Sequence, residues 1–290
     1  MERASAVSGS DLRASAAADL LRGIGVGRWA AALSPIARSA VGRFVADLLE
    51  MDAAVGASGL AAAADVLLPR YAGTVTIRGA ERVPATGPLV VAANHAGVTD
   101  GPALWRLLAA RDDLRVIALD RPILRGLPHT SSRLFTVEDG AEGRPGLVRR
   151  IADHLREGGA VLTFPAGTIE PDPALRPADA HAALDGWGRS IELFVRLAPQ
   201  TTVVPVAVSG VISQRMLRSP IARRRATAED RELAAATLQV LLRDRSVNPV
   251  VSVGEPLRGN GSNGELRAAM AALLDDSIGR RGGEPAGHRL

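Results

Sequence analysis

The sequence predicts an α/β protein: a central mixed sheet covered by helices on both faces, with an N-terminal helical segment ahead of it. Three observations predict it. Short continuous apolar runs such as Leu89-Val90-Val91 lack the polar alternation of half-exposed strands, as expected of strands buried on both faces. Helical patterns lie between several of these runs, the alternation that marks α/β architectures. The chain has 290 residues and 47% hydrophobic content, enough apolar surface for a core of this kind.

Residues 10–68 read as helix after helix, with Pro35 as punctuation between 22–33 and 36–51. In the second helix Ile36, Ala40, Val41, Phe44, Val45, Leu48 and Met51 recur at helical spacing, while Arg38, Arg43, Asp47 and Glu50 take the other side. Such a face docks on the domain or rests on lipid, packing being the commoner outcome. The stretch 53–68 is mostly Ala and Gly and is interrupted by Asp65. It falls short of the roughly 18 to 20 strongly apolar residues of a spanning helix, so membrane contact is expected to be peripheral. From Gly73 the character changes to strand-like runs at 74–77, 87–93, 115–119, 160–164, 202–208 and 249–253. Helical patterns occupy 102–110, 147–157, 186–197 and 229–243. The expected organisation is an N-terminal helical segment over 1–70, the main domain over 71–278, and a disordered tail over 279–290, rich in Gly, Arg and Pro.

Composition removes several classes of chemistry. There is no cysteine, hence no disulfide framework, thiolate nucleophile or cysteine-based metal site, and the five histidines show no HExxH-like spacing, so no metal is expected. All 35 basic residues are arginine, a bias that base composition of the source genome explains. The net charge of +4 suits an anionic membrane surface or a phosphate-bearing ligand but is too small and dispersed for nucleic acid. No short apolar run follows a basic start at the N-terminus, so a signal peptide is not expected.

Two blocks carry chemistry. The first, Ala93-Asn94-His95-Ala96-Gly97-Val98-Thr99-Asp100-Gly101-Pro102, places a histidine just past a strand and an acid five residues on. On one continuous helix such residues diverge by about 140° and do not meet. With His95 in the strand-to-helix turn and Asp100 opening the helix, carboxylate and imidazole can meet, with Gly97 and Gly101 permitting the turn and Pro102 suiting the first helical turn. A positioned imidazole takes the proton of a hydroxyl as it attacks a carbonyl, and an acid behind the ring fixes its tautomer. The plainer alternative makes Asp100 an N-cap and His95 a loop histidine satisfied by backbone. The second block, Phe164-Pro165-Ala166-Gly167-Thr168-Ile169-Glu170-Pro171, follows an apolar strand and would expose backbone N–H groups to an oxyanion or phosphoryl group; a tight Pro-Gly turn capped by Thr168 is its plainer alternative.

Together the blocks resemble the glycerolipid acyltransferases, the family of lysophosphatidate and glycerol-3-phosphate acyltransferases. That family carries NHxxxxD, an FPEGT-type block some seventy residues later, and a buried strand with a V-P-V core. Asn94, His95 and Asp100 match the first block, Phe164, Pro165, Gly167 and Thr168 the second, and Val204-Pro205-Val206 the strand. Val253-Gly254-Glu255-Pro256-Leu257 is similar to the family's closing segment, so the likeness runs over 72–278.

The resemblance implies transfer of a fatty acyl group from acyl-coenzyme A or acyl-carrier protein to a hydroxyl of a lysophospholipid or related acceptor, with no bound cofactor. The catalytic pair is His95 and Asp100. Asn94, Gly97 and the second-block residues would contact substrate, and N–H groups near Gly97 or Gly167 would hold the oxyanion. The implied partners are the lipid acceptor, the acyl donor and a membrane surface, with the enzyme peripheral on its cytoplasmic side.

Departures fall in the acceptor block. Ala166 stands where the family has Glu, Ile169 where Arg is common, and Glu138 and Asp139 lie near the place of a phosphate-binding Arg. Arg133 or Arg144 would have to supply the guanidinium, and Glu170 or Asp172 the acid. A hydrolase with water as acceptor is the rival from the same class, lowered by the lack of a G-x-S-x-G elbow. A catalytically degenerate surface-binding protein of this fold is the rival from another. Finally, Arg215, Arg218, Arg223, Arg224 and Arg225 are interleaved with Met216, Leu217 and Ile221, a pattern suited to lipid head groups or coenzyme phosphates, or to a solvated surface.

Overall fold

The computed structural model describes residues 35–138, 144–257 and 262–279, residues 288–289, and isolated positions between 14 and 20. Eight strands form one sheet: β1 (Thr76–Arg78), β2 (Leu89–Ala93), β3 (Arg115–Leu119), β4 (Leu134–Val137), β5 (Ala160–Thr163), β6 (Thr202–Ser209), β7 (Val250–Val253) and β8 (His288–Arg289), in the order β4-β3-β5-β2-β6-β7-β1-β8. The sheet is mixed, as the sequence predicts. β2 lies at its centre, parallel to β5 and β6, with Val91 opposite Leu162 and Val204. β3 is parallel to both β5 and β4, so the five strands from β4 to β6 end at one edge, where ligands of open α/β sheets bind. β7 runs antiparallel to β6 with Ser209 opposite Val250, so the excursion over 210–249 leaves and rejoins the sheet at that same edge.

The longer helices are α1 (Pro35–Tyr71), α2 (Asp100–Leu107), α3 (Arg144–Arg156), α4 (Ser190–Leu197), α5 (Ala228–Leu242) and α6 (Asn263–Gly279). They cover both faces. Leu89, Val91 and Ala93 of β2 pack in one apolar layer with α1, α2 and α5, whereas Val90 and Ala92 pack in the other with α3, α4 and α6. This explains the unbroken apolar run: the side chains of β2 alternate, but both faces are core.

Pro205 breaks the usual rule against proline in an interior strand. The ladder to β7 begins only at Val206, and the Pro205 carbonyl accepts from Gly254 N–H at 2.9 Å. A Cβ on Gly254 would stand 2.8 Å from the proline ring, so the V-P-V block and the closing glycine are two halves of one contact.

Three elements, α1, β4 and β8, differ from expectation. The helix expected over 36–51 does not end there: α1 runs from Pro35 to Tyr71 with a break at Ser58 and Gly59, where Gly59 takes φ 80°. By length and composition its segment 38–71 is able to cross a membrane, which the interrupted reading of 53–68 did not anticipate; 44% of that window is nevertheless buried in the protein. Its apolar face packs on the domain, and Asp47, expected on the polar side, is buried, accepting hydrogen bonds from Tyr71 Oη (2.5 Å), Arg70 (2.6 Å) and Arg243 (2.5 Å). The strand β4 was not anticipated because four residues at a sheet edge, with only Phe135 buried, leave too short a pattern. The helix expected over 22–33, most of the tail 279–290, and Asp139 lie outside the described residues; within the tail, His288 and Arg289 pair antiparallel with β1.

Candidate active site

β2 ends at the site because Asn94 replaces the next step of the ladder. Its side-chain amide donates to the Val208 carbonyl (2.9 Å) and accepts from the Val208 N–H (2.7 Å). Asn94 is thus buried and braces β6 through both ends of its amide. The chain then turns against 211–212: a Cβ on Gly97 would stand 3.1 Å from Val211 and 3.2 Å from Ile212, so Gly97 serves close approach. Gly101 has no comparable need, since its Cβ would meet only Trp105 at 3.9 Å.

His95 Nδ1 lies 2.8 Å from Asp100 Oδ2, with Asp100 1% exposed and the His95 side chain 32% exposed. Asp100 is the first residue of α2, and its carboxylate turns back over the loop, accepting the Gly97 N–H at 2.9 Å and the Gly101 N–H at 2.6 Å. It is therefore not a plain N-cap. The bond at Nδ1 leaves Nε2 as the acceptor, the tautomer a general base needs. Burial pushes the imidazole pKa down, but the charge and hydrogen bond of Asp100 and the charge of Glu170 push it up by more, so the net direction is above 6.5.

The second block packs beside His95. The Phe164 ring lies 4.5 Å from the imidazole, centroid to centroid, and Gly167, at φ 66°, closes a turn in which its N–H donates to the Phe164 carbonyl at 2.9 Å. Pro165 is buried, whereas Thr168 and Ile169 are exposed. The expected donors near Gly97 or Gly167 narrow here: the Gly97 and Gly167 N–H groups themselves are both taken by partners within the loops. The Thr168 and Ile169 N–H groups make no hydrogen bond among the described residues.

The two candidate acids have distinct places. Glu170 lies behind the histidine: it accepts the His95 N–H at 2.9 Å and the Trp187 indole N–H at 2.8 Å, and its own N–H donates to the His95 carbonyl at 2.6 Å. Burial raises its pKa, against the pull of the Trp187 and His95 hydrogen bonds. Asp172, fully buried, accepts from Ala174 and Gly210 at Oδ1 and from Val211 and Ile212 at Oδ2, at 2.8–3.0 Å. It ties the second block to the turn on which Gly97 packs. Trp187, 92 residues beyond His95, had no local signal.

Arg133 is not brought to the site. It precedes β4, at the opposite end of the parallel strands from His95, and donates to the Asp112 carbonyl at 2.6 Å. Arg144 opens α3 at the site's end but beside the edge strand β4, and its side chain lies outside the described residues. Among the described residues no cluster of three or more His, Asp or Glu could hold a metal. An apolar cavity of about 310 Å³ adjoins the catalytic loop, walled by Val98 and Thr99 of that loop, by Phe44, Met51 and Tyr71 of α1, and by Leu127 beyond β3.

A histidine–aspartate pair at the carboxyl edge of a mixed sheet, beside an apolar cavity, has the geometry a general base needs. The acyltransferase family model matches residues 74–209, from β1 to the end of β6 and including both blocks. That segment is a domain of the acyltransferase family, as the motifs implied. Among solved structures the chain is similar to the 1-acyl-sn-glycerophosphate (LPA) acyltransferase PlsC from Thermotoga maritima, at 16% identity and a TM-score of 0.43, covering 86% of this chain and 84% of that one. A search of curated proteins found no match.

Proposed function

We propose that the protein is an O-acyltransferase moving a fatty acyl group from acyl-coenzyme A or acyl-carrier protein to a hydroxyl of a lysophospholipid or related glycerolipid. The observation that carries this reading is the His95–Asp100 contact of 2.8 Å within the acyltransferase-family segment. His95 Nε2 takes the acceptor's hydroxyl proton as that oxygen attacks the thioester carbon, while Asp100 stabilises the imidazolium. The tetrahedral oxyanion then collapses; the C–S bond breaks, and the thiolate leaves as a thiol with the proton from His95. The unpartnered N–H groups of Thr168 and Ile169 support a donor role for the second block. The apolar cavity beside Val98 and Thr99 supports binding of an acyl chain. Burial of nearly half the apolar window of α1 supports a peripheral rather than a spanning attachment. Purified protein with labelled acyl-coenzyme A and a panel of lysolipids tests the reading: ester product supports it, and free acid alone assigns a hydrolase.

The acceptor's phosphate is expected to matter little. Ala166 and Ile169 offer neither carboxylate nor guanidinium, and Arg133 lies at the far end of the sheet. A charge-assisted hydrogen bond contributes about 1.5–3 kcal/mol, so its loss removes a roughly ten- to hundredfold preference. Rates with lysophosphatidate and with a zwitterionic lysolipid should therefore lie within about tenfold of each other. A hundredfold preference for lysophosphatidate would place an arginine, Arg144 foremost, in the pocket.

The base must be neutral to work, and its pKa is raised. The acid limb of kcat/KM should thus fall at a pH above 6.5, and Asp100→Asn, by removing the charge that raises it, should move that limb to lower pH. For stability the sign is fixed in the same way: the favourable interaction of charged His95 is fully present below its unfolded pKa and is lost as pH rises through the higher folded value. A limb unmoved in the variant would separate Asp100 from the titration.

A further inference from the structure

Between Ser213 and Thr227 the chain carries five arginines and no acid. Two short helices, Gln214–Leu217 and Pro220–Arg223, hold this segment, each capped by a serine hydroxyl, Ser213 or Ser219, and each anchored by one buried residue, Met216 or Ala222. With the inner side so fixed, Arg215, Arg218, Arg223 and Arg224 are exposed beside Ile221, which is 40% exposed. A shallow hollow of about 330 Å³ lies among Leu175, Gln214, Leu217, Arg218 and Arg223.

The arginines are not consumed internally. Arg225 pairs with Asp230 at 3.2 Å, and Arg215 stands 3.9 Å from Asp244. Arg218, Arg223 and Arg224 have no side-chain hydrogen bond or ion pair among the described residues. The nearest acids following in sequence are engaged, Glu229 by Arg176 and Asp230 by Arg225. The segment belongs to the excursion that leaves and rejoins the sheet at the His95 edge, and Asp172 and Gly97 fix its root against the catalytic loop. Val98 and Ile169, 41% and 52% exposed, project from loops at that same edge.

Unneutralised guanidiniums next to exposed aliphatic tips complement an anionic head-group layer over hydrocarbon. We propose that the surface of helices 214–217 and 220–223, through Arg218, Arg223, Arg224 and Ile221, docks the protein on an anionic lipid membrane and turns the His95 edge toward it. The docking stands by itself; its service to lipid substrates rests on the acyltransferase reading above.

The test uses the full chain, Arg218→Gln/Arg223→Gln/Arg224→Gln, and a control, Arg149→Gln/Arg150→Gln, on exposed positions of α3 on the other side of the sheet. Partitioning is measured onto phosphatidylcholine vesicles with and without phosphatidylglycerol, at low and high salt. The parent chain should prefer the phosphatidylglycerol vesicles and lose that preference in high salt. Each interfacial arginine contributes about fivefold, so the triple variant should partition roughly a hundredfold less, with the control changed far less. Turnover of a vesicle-held acceptor should fall in the triple variant while that of a short, water-soluble acceptor is kept. Undiminished partitioning of the triple variant, an equal loss in the control, or equal loss of turnover on both acceptors would overturn the proposal. Salt-sensitive vesicle binding without transfer to any acceptor would leave docking standing and remove the acyltransferase reading.

Discussion

His95→Ala is expected to lower acyl transfer by about 10³- to 10⁴-fold, the upper part of the range that a positioned general base contributes. The fold should survive, because the imidazole is at the edge of the core and Asp100 keeps its bonds to the Gly97 and Gly101 N–H groups. Asp100→Asn should produce a comparable loss by a different route. The amide cannot stabilise an imidazolium and no longer holds the tautomer that leaves Nε2 unprotonated. Activity of the purified variants on labelled acyl-coenzyme A, beside a thermal melt of each, checks both. Full activity in a folded His95→Ala protein would remove the general base from the mechanism.

The largest effect on stability is expected at Asp172. Its two oxygens each accept two backbone N–H groups, from Ala174 and Gly210 on one side and Val211 and Ile212 on the other. Alanine would leave four donors without a protein partner in a site with no exposed surface at Asp172. Each buried orphan costs about 1–3 kcal/mol, partly recovered by water entering the vacated space, so a net loss of about 3–5 kcal/mol follows. For a chain of this size that corresponds to a Tm lower by roughly 10 °C. Asp172→Asn should not rescue it: either amide orientation points an NH₂ at two N–H donors. Denaturant and thermal unfolding of the two variants decide the matter, and an unchanged Tm in both would show that the carboxylate is dispensable. Activity should fall with stability, since Val211 and Ile212 form the wall against which Gly97 packs.

The His95–Asp100 pairing was legible because its signal is local. Asn94, His95 and Asp100 fall within seven residues, at the end of an apolar run that had to be a strand, and the FPxGT-like block follows another. Strands β2, β5 and β6 were legible for the same reason, since burial on both faces writes a continuous apolar stretch into the chain. The mixed sense of the sheet was anticipated, and so was the covering of both faces.

What the sequence alone determined is therefore the fold class, the acyltransferase resemblance and the meeting of His95 with Asp100. Tertiary structure decided which polar residues serve those two. Asn94 completes the ladder to Val208, Glu170 is held by Trp187, Asp172 joins two loops, and Arg133 stands at the wrong end of the sheet. The reason is physical: a hydrogen bond depends on distance in space, and these partners are 17 to 114 residues apart in the chain. Apolar periodicity repeats along the chain and can be read there, whereas a single polar contact across the fold leaves no period to read.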